Sequence, residues 1–205
     1  MSKRFTLLAI SFCVCLIAAN LFEIKIFDAG FLTLTGGFII FPISYIINDC
    51  ISEVYGYKKA RFVITTAILM NAAFVLLAQL VRKLPPETFW DGQEHIDYVF
   101  TADLRITVAS LAAFFCGSLL NAKVMSKMRQ RDGERRFGWR AILSTLAGEG
   151  VDSLIFFPIA FSGVGTANLV RMMAAQIVLK TLYELAVLPL TSAYVRRLKR
   201  EEVLL

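Results

Sequence analysis

The 205-residue chain is 57% hydrophobic, has a mean hydropathy of +0.64 and carries a formal charge of +6. A soluble domain of this size has no use for so much apolar surface, so the composition points to an integral membrane protein. The cations are spread over the ends of apolar runs, which excludes a nucleic-acid patch as the reading of the charge and marks it as an orientation signal.

A helix needs about 20 apolar residues to cross hydrocarbon. Six runs qualify, near residues 5–22, 34–54, 60–82, 104–127, 140–161 and 171–195, and they leave so little chain between them that a single domain over 1–205 is expected. Lys3 and Arg4 precede the first run and Ala18 and Ala19 close it, a pattern shared with cleaved signal peptides. Its length and the polar Asn20 favour a retained span. A short segment, "FEIKIFDAG", leads to the second run, which opens on Gly36-Gly37 and contains Pro42. These residues weaken a helix, so an unwound or kinked start is expected, as in the interrupted helices that line transporter sites; close helix packing is the plainer alternative. The run ends in "YIINDCISEVYGYKKAR", with Asp49 and Glu53 one turn apart and a turn at Tyr55-Gly56-Tyr57.

Pro85-Pro86 stop the third run. The connection "RKLPPETFWDGQEHIDYVFTADL" is acidic, with Phe89, Trp90, Tyr98 and Phe100 suited to a membrane interface; it reads as an interfacial loop or as a lid. His95 is the sole histidine, so no metal site is expected, and no cofactor motif is present. The fourth run carries Asn121 in "GSLLNAKVM". The basic connection "KMRQRDGERRFGWR", with a turn signal at Asp132-Gly133, reads as a topology anchor facing anionic lipid. Pro158 and Pro189 are expected to bend the last two runs, and "GVGTAN" at 163–168 lacks the lysine of a phosphate loop. Cys13, Cys15, Cys50 and Cys116 lack metal-type spacing and read as reduced thiols in apolar runs.

Lys and Arg concentrate on one set of connections, through Lys3, Arg4, Lys58, Lys59, Arg61, Lys123, Lys127, Arg129, Arg131, Arg135, Arg136, Arg140, Arg196, Arg197, Lys199 and Arg200. The positive-inside rule places that side, and both termini, in the cytoplasm. The fold class is therefore an all-α integral membrane protein, a bundle of six transmembrane helices.

Three runs carry charged pairs at helix-neighbour spacing: Asp49 and Glu53, Glu149 and Asp152, and Lys180 and Glu184. Asn20 and Asn121 join them from the first and fourth runs. Acids facing lipid would cost about 2.5–3.5 kcal/mol each, so these groups should face a common polar cavity. By depth, Asp49, Glu149 and Glu184 should share it, Lys180 should pair with Glu149 or Glu184, and Glu53 should form a cytoplasmic rim with Lys58 and Arg61. Gly148 and Gly150 flank Glu149 and would let a flat ring approach the helix backbone.

"NDCISEVYGYKKAR", "GEGVDSLIFFPIAF" and "KTLYELAVLP", in this order across a six-span chain, resemble the queuosine precursor transporter family, also called the VUT family; "SLLNAKVMSK" and the Asn20 region extend the likeness over the whole chain. The resemblance implies uptake across the bacterial inner membrane of 7-deazaguanine bases, with 7-cyano-7-deazaguanine, its aminomethyl relative and queuine as candidates. It implies no enzyme activity, no cofactor and no nucleic-acid partner; membrane lipid is a partner and a homodimer stays open. Asn20, Asp49, Asn121, Glu149, Asp152, Lys180 and Glu184 are the candidate binding residues, and Phe38, Phe41, Tyr45, Phe156 and Tyr183 are candidates to pack on the ring. The family is also similar in architecture to the substrate-binding subunits of energy-coupling factor importers, which is the alternative role. Ala9 is followed four residues later by Cys13, so an A-x-x-x-A docking pattern is missing from the first span.

Overall fold

The computed structural model describes residues 2–22, 24–28, 33–100, 104–132, 136–163 and 165–203. Asp103, Gly133 and Arg135 lie outside them. Six long helices follow the apolar runs: α1 (Lys3–Phe22), α2 (Gly37–Tyr55), α3 (Tyr57–Arg82), α5 (Leu104–Asp132), α6 (Phe137–Ala160) and α7 (Thr166–Val203). All six include a stretch long and apolar enough to cross a membrane. Between α1 and α2 the chain forms a small antiparallel hairpin, β1 (Ile26–Asp28) and β2 (Thr33–Thr35), with Ile26 opposite Thr35. The sequence pattern gave no sign of it, since three-residue strands are too short to show a period.

A short helix, α4 (Gln93–Phe100), lies in the acidic connection. It folds back on the end of α3: Gln79 donates to the Phe100 carbonyl at 2.6 Å, Gln93 donates to the Arg82 carbonyl at 3.1 Å, and the Phe74 and Phe100 rings meet edge to face. The connection is thus docked on α3, while Phe89 and Tyr98 stay exposed as interfacial side chains do.

At about 1.5 Å per residue, α7 is about 57 Å long, well beyond the thickness of hydrocarbon. Its basic end, with Arg197 and Lys199, therefore continues past the bundle's apolar belt. Gly56 alone separates α2 from α3; its φ of 83° is a conformation that a side chain disfavours, and it reverses the chain between Tyr55 and Tyr57. Pro42 is accommodated inside α2, which starts at Gly37, and Pro158 and Pro189 likewise sit inside α6 and α7. Arg4 of α1 pairs with Glu201 of α7, and Ser2 lies 3.4 Å from the Tyr55 hydroxyl, so both chain ends share one end of the bundle. We call it the terminal end.

The bundle is organised around α2, which packs against α1, α3, α5 and α7 and whose most apolar window is 56% buried, against 11% for α7. α5 and α6 form the most extensive helix pair. Leu69, Leu76, Leu77 and Leu80 of α3 and Leu182, Leu185 and Leu190 of α7 face outward, whereas Ser44, Asn48, Asp49, Ser52 and Glu53 of α2 are buried. Apolar side chains outside and polar ones inside are what a lipid environment selects. The four cysteines are unpaired.

Candidate functional site

The inward faces of α2, α5, α6 and α7 carry a ladder of charged groups in three tiers. The tiers follow from helix spacing. Tyr45, Asp49 and Glu53 succeed one another at one turn, about 6 Å each, along α2. Antiparallel α6 presents Asp152 and Glu149, then Thr145, then Arg140 against them, and α7 presents Lys180, Glu184 and, beyond, Lys199.

In the tier farthest from the terminal end, Lys180 reaches across from α7 to α6. Its Nζ lies 2.8 Å from Glu149 Oε2 and 3.8 Å from Asp152 Oδ2. Of the two partners expected for it, Glu149 is the one it takes. Phe41 and Tyr45 of α2 hold the same ammonium, with ring centroids 5.6 and 5.8 Å away. Glu149 is wholly buried, Asp152 is 7% exposed and Lys180 9%. Two carboxylates therefore face one cation, and Glu149 Oε1 makes no well-formed hydrogen bond among the described residues. The Tyr45 hydroxyl lies beside Glu149 without a well-formed hydrogen bond.

The middle tier is acidic and, among the described residues, has no cation of its own. Asp49 of α2 adjoins Glu184 of α7 and Asn121 of α5, and Glu184 also adjoins Thr145 of α6. Asn121 donates to Thr145 Oγ1 at 3.4 Å. Among the described residues, Asp49 Oδ1, Asn121 Oδ1 and both Glu184 carboxylate oxygens are buried and make no well-formed hydrogen bond.

The third tier reverses the balance. Glu53, wholly buried, accepts from Arg140 Nη2 at 2.7 Å and from Lys199 Nζ at 2.7 Å, both on Oε1, and Arg129 Nε stands 3.9 Å away. One carboxylate of α2 thus gathers cations from α5, α6 and α7.

This arrangement corrects several expectations. Lys58 and Arg61 are exposed and do not meet Glu53; one turn of α3 beyond Gly56 carries them to the outside of the bundle. Arg140 is no lipid-facing anchor but a fully buried counter-ion, and Arg129 and Lys199 also turn inward. Asn20 stays outside the ladder, donating to the Leu16 carbonyl at 3.0 Å and accepting from Ser110 at 3.4 Å. Gly148 does not face a cavity. A Cβ there would stand 2.9 Å from Asn121 Cβ and 2.9 Å from the Gly117 carbonyl, so its smallness is spent on close α5–α6 packing. Phe156 packs on Phe157 and Phe161, and Phe38 pairs with Tyr183, so of the five candidate rings only Phe41 and Tyr45 border Lys180.

The pattern of charged pairs missed Arg140, Lys199, Arg129 and Asn48. Asn48 donates to the Ser118 carbonyl at 3.2 Å and ties α2 to α5. A helical projection of α2 would have flagged Asn48 beside Ser44 and Ser52 on the same buried face.

The chain resembles known membrane proteins over most of its length. Residues 35–194 match the family described as "Putative vitamin uptake transporter". The "Queuosine precursor transporter" of Escherichia coli is 30% identical over 141 residues, 69% of this chain and 61% of that protein. The "Probable queuosine precursor transporter" of Haemophilus influenzae is 29% identical over 128 residues, covering 62% of this chain and 52% of its own length. That of Bacillus subtilis is 26% identical over 153 residues, 74% of this chain and 67% of its own. The matched stretch thus spans between about half and two thirds of these relatives. No solved structure matches. With six helices able to span a bilayer and a family match over most of the chain, this is a multi-pass membrane protein of the vitamin uptake transporter family, to which the queuosine precursor transporters belong.

Proposed function

We propose that the chain carries queuosine precursors, 7-cyano-7-deazaguanine or a related 7-deazaguanine base, across the bacterial inner membrane as one transmembrane unit with its terminal end in the cytoplasm. The observation that carries this reading is Lys180 held between Glu149 and Asp152 under the rings of Phe41 and Tyr45. A guanine-type edge offers an N–H and an NH2 side by side beside a carbonyl. A carboxylate accepts the two donors together, and an ammonium meets the carbonyl. Glu149 and Lys180 are such a pair, and each occupies the other until a solute takes both. Phe41 and Tyr45 supply flat apolar faces for the ring. The excess carboxylate of this tier, and Glu149 Oε1 without a well-formed hydrogen bond among the described residues, leave acceptor capacity for the base's donors.

The test is uptake of radiolabelled 7-cyano-7-deazaguanine by liposomes containing the purified chain alone. Glu149→Gln keeps the shape but turns an accepting oxygen into a donor that faces the donors of the base. Uptake should fall by more than about tenfold with folding retained, because a site built for hydrogen bonds rejects a mismatched edge strongly. An analogue without the exocyclic amine should bind weakly to the parent and lose less in the variant. Equal relative losses for both ligands would make Glu149 a packing residue. No uptake by the chain alone, restored by a second protein, would assign it the role of a binding subunit.

A further inference from the structure

We propose that α7 is jointed at Pro189, so that its outer part, residues 166–184, is a lid over the Lys180 site while the part beyond the joint stays fixed to the terminal end. The burial of α7 differs on the two sides of Pro189. In the outer part Lys180 and Glu184 are the buried residues, and none of its apolar side chains is buried. Val170, Val178 and Leu182 are more than half exposed. From the joint onward the inward residues are Thr191, Val195 and Leu198, all buried. There Lys199 bonds to Glu53 at 2.7 Å, and Glu201 pairs with Arg4 of α1. Leu188, at the joint, packs against Gly138 in the first turn of α6, where an added Cβ would stand 3.2 Å from its side chain.

The joint follows from the residues of one turn. Proline lacks an N–H, so the Leu185 carbonyl loses its helical donor at Pro189, and helices bend at such positions. Thr191 donates to the Val187 carbonyl at 3.2 Å, a side-chain bond that also bends helices. The frame beside the lid is held more firmly. Asn48 ties α2 to α5, and Gly117 and Gly148 bring the backbones of α5 and α6 together. In lipid, apolar side chains gain nothing by leaving the hydrocarbon, so packing and polar bonds decide where a helix stays. Among the described residues, the ion pairs that hold the outer part are those of Lys180 with Glu149 and Asp152, and the edge-to-face contact of Tyr183 with Phe38 supplements them. A solute that takes Glu149 and Lys180 takes the bond that keeps the lid down. Solute binding and opening are thereby linked, a step that rests on the transport reading above. The opening lies away from the terminal end, where the Glu53 set keeps the helices joined.

The lid is read without any solute, by distances between pairs of spin labels in the reconstituted full chain. Exposed positions of α6 and α7 report each side of the joint: Leu154 with Val178 on the outer side, Trp139 with Arg197 on the inner. In Lys180→Ala the outer distance should shift to longer values while the inner distance stays as in the parent. Adding Pro189→Ala, which restores the missing backbone bond, should bring the outer distance back toward the parent's. An outer distance unmoved by Lys180→Ala, inner and outer distances that move together, or a double variant that opens as widely as Lys180→Ala overturns the proposal. In liposomes, Pro189→Ala alone should slow uptake of 7-cyano-7-deazaguanine by more than about fivefold with folding retained, because a stiffened joint slows opening. Uptake at the parent rate in that variant also overturns the lid. A lid that opens as described in a protein that takes up no deazaguanine supports the joint and counts against the substrate reading alone.

Discussion

The two ends of the buried ladder use the same residue types in opposite proportion. Around Lys180 two acids share one cation. Around Glu53 three cations share one acid. Both sets join α6 and α7 across the bundle, but only the Glu53 set also draws on α5, so it ties four helices together. A carboxylate that gathers cations from three other helices acts as a fastener, because every helix loses its partner if it moves. A cation with two alternative acids, held against aromatic faces, can be displaced by a ligand without leaving a buried charge alone. The Glu53 set is suited to hold a closed state and the Lys180 set to exchange partners.

The largest effect should come from breaking the fastener. Glu53→Ala leaves wholly buried Arg140 without its carboxylate, and loss of one member of a buried pair costs about 3–5 kcal/mol. Thermal unfolding in detergent should show a protein that is poorly folded or melts far below the parent. Lys180→Ala should cost less stability, about 1–3 kcal/mol, because Glu149 and Asp152 can take up a proton, yet uptake should be abolished. A variant that melts as early as Glu53→Ala would erase the distinction between the two sets.

Gly148→Val tests the packing that keeps the tiers in register. Its side chain would press on Asn121 and on the α5 backbone, and overpacking of this kind costs about 1–3 kcal/mol, measurable in the same melt. The smallest effect belongs to Lys58→Ala and Arg61→Ala. Both side chains are exposed, so stability should change by less than about 0.5 kcal/mol. A large loss on either would restore the rim first expected from their nearness to Glu53 in sequence.

Six membrane helices and the identity of most of their charged ladder were legible in the chain itself. Hydropathy needs only local sums, and the cost of an acid in lipid forces Asp49, Glu149, Asp152 and Glu184 inward whatever the packing. Spacing of three and four also put the members of each pair on one helix face. Which groups meet across helices was decided by tertiary structure alone. Lys180 sits one turn from Glu184 on its own helix but pairs with Glu149, because the rotation of α7 against α6 sets the contact. Arg140 was indistinguishable in sequence from the anchors around it. It is buried because its long side chain reaches from the first turn of α6 to Glu53 of α2, which neutralises it, and no local pattern encodes that meeting. Gly148 likewise declared a close approach without saying to what, and the answer was the backbone of α5, a choice made by how the two consecutive helices α5 and α6 pack.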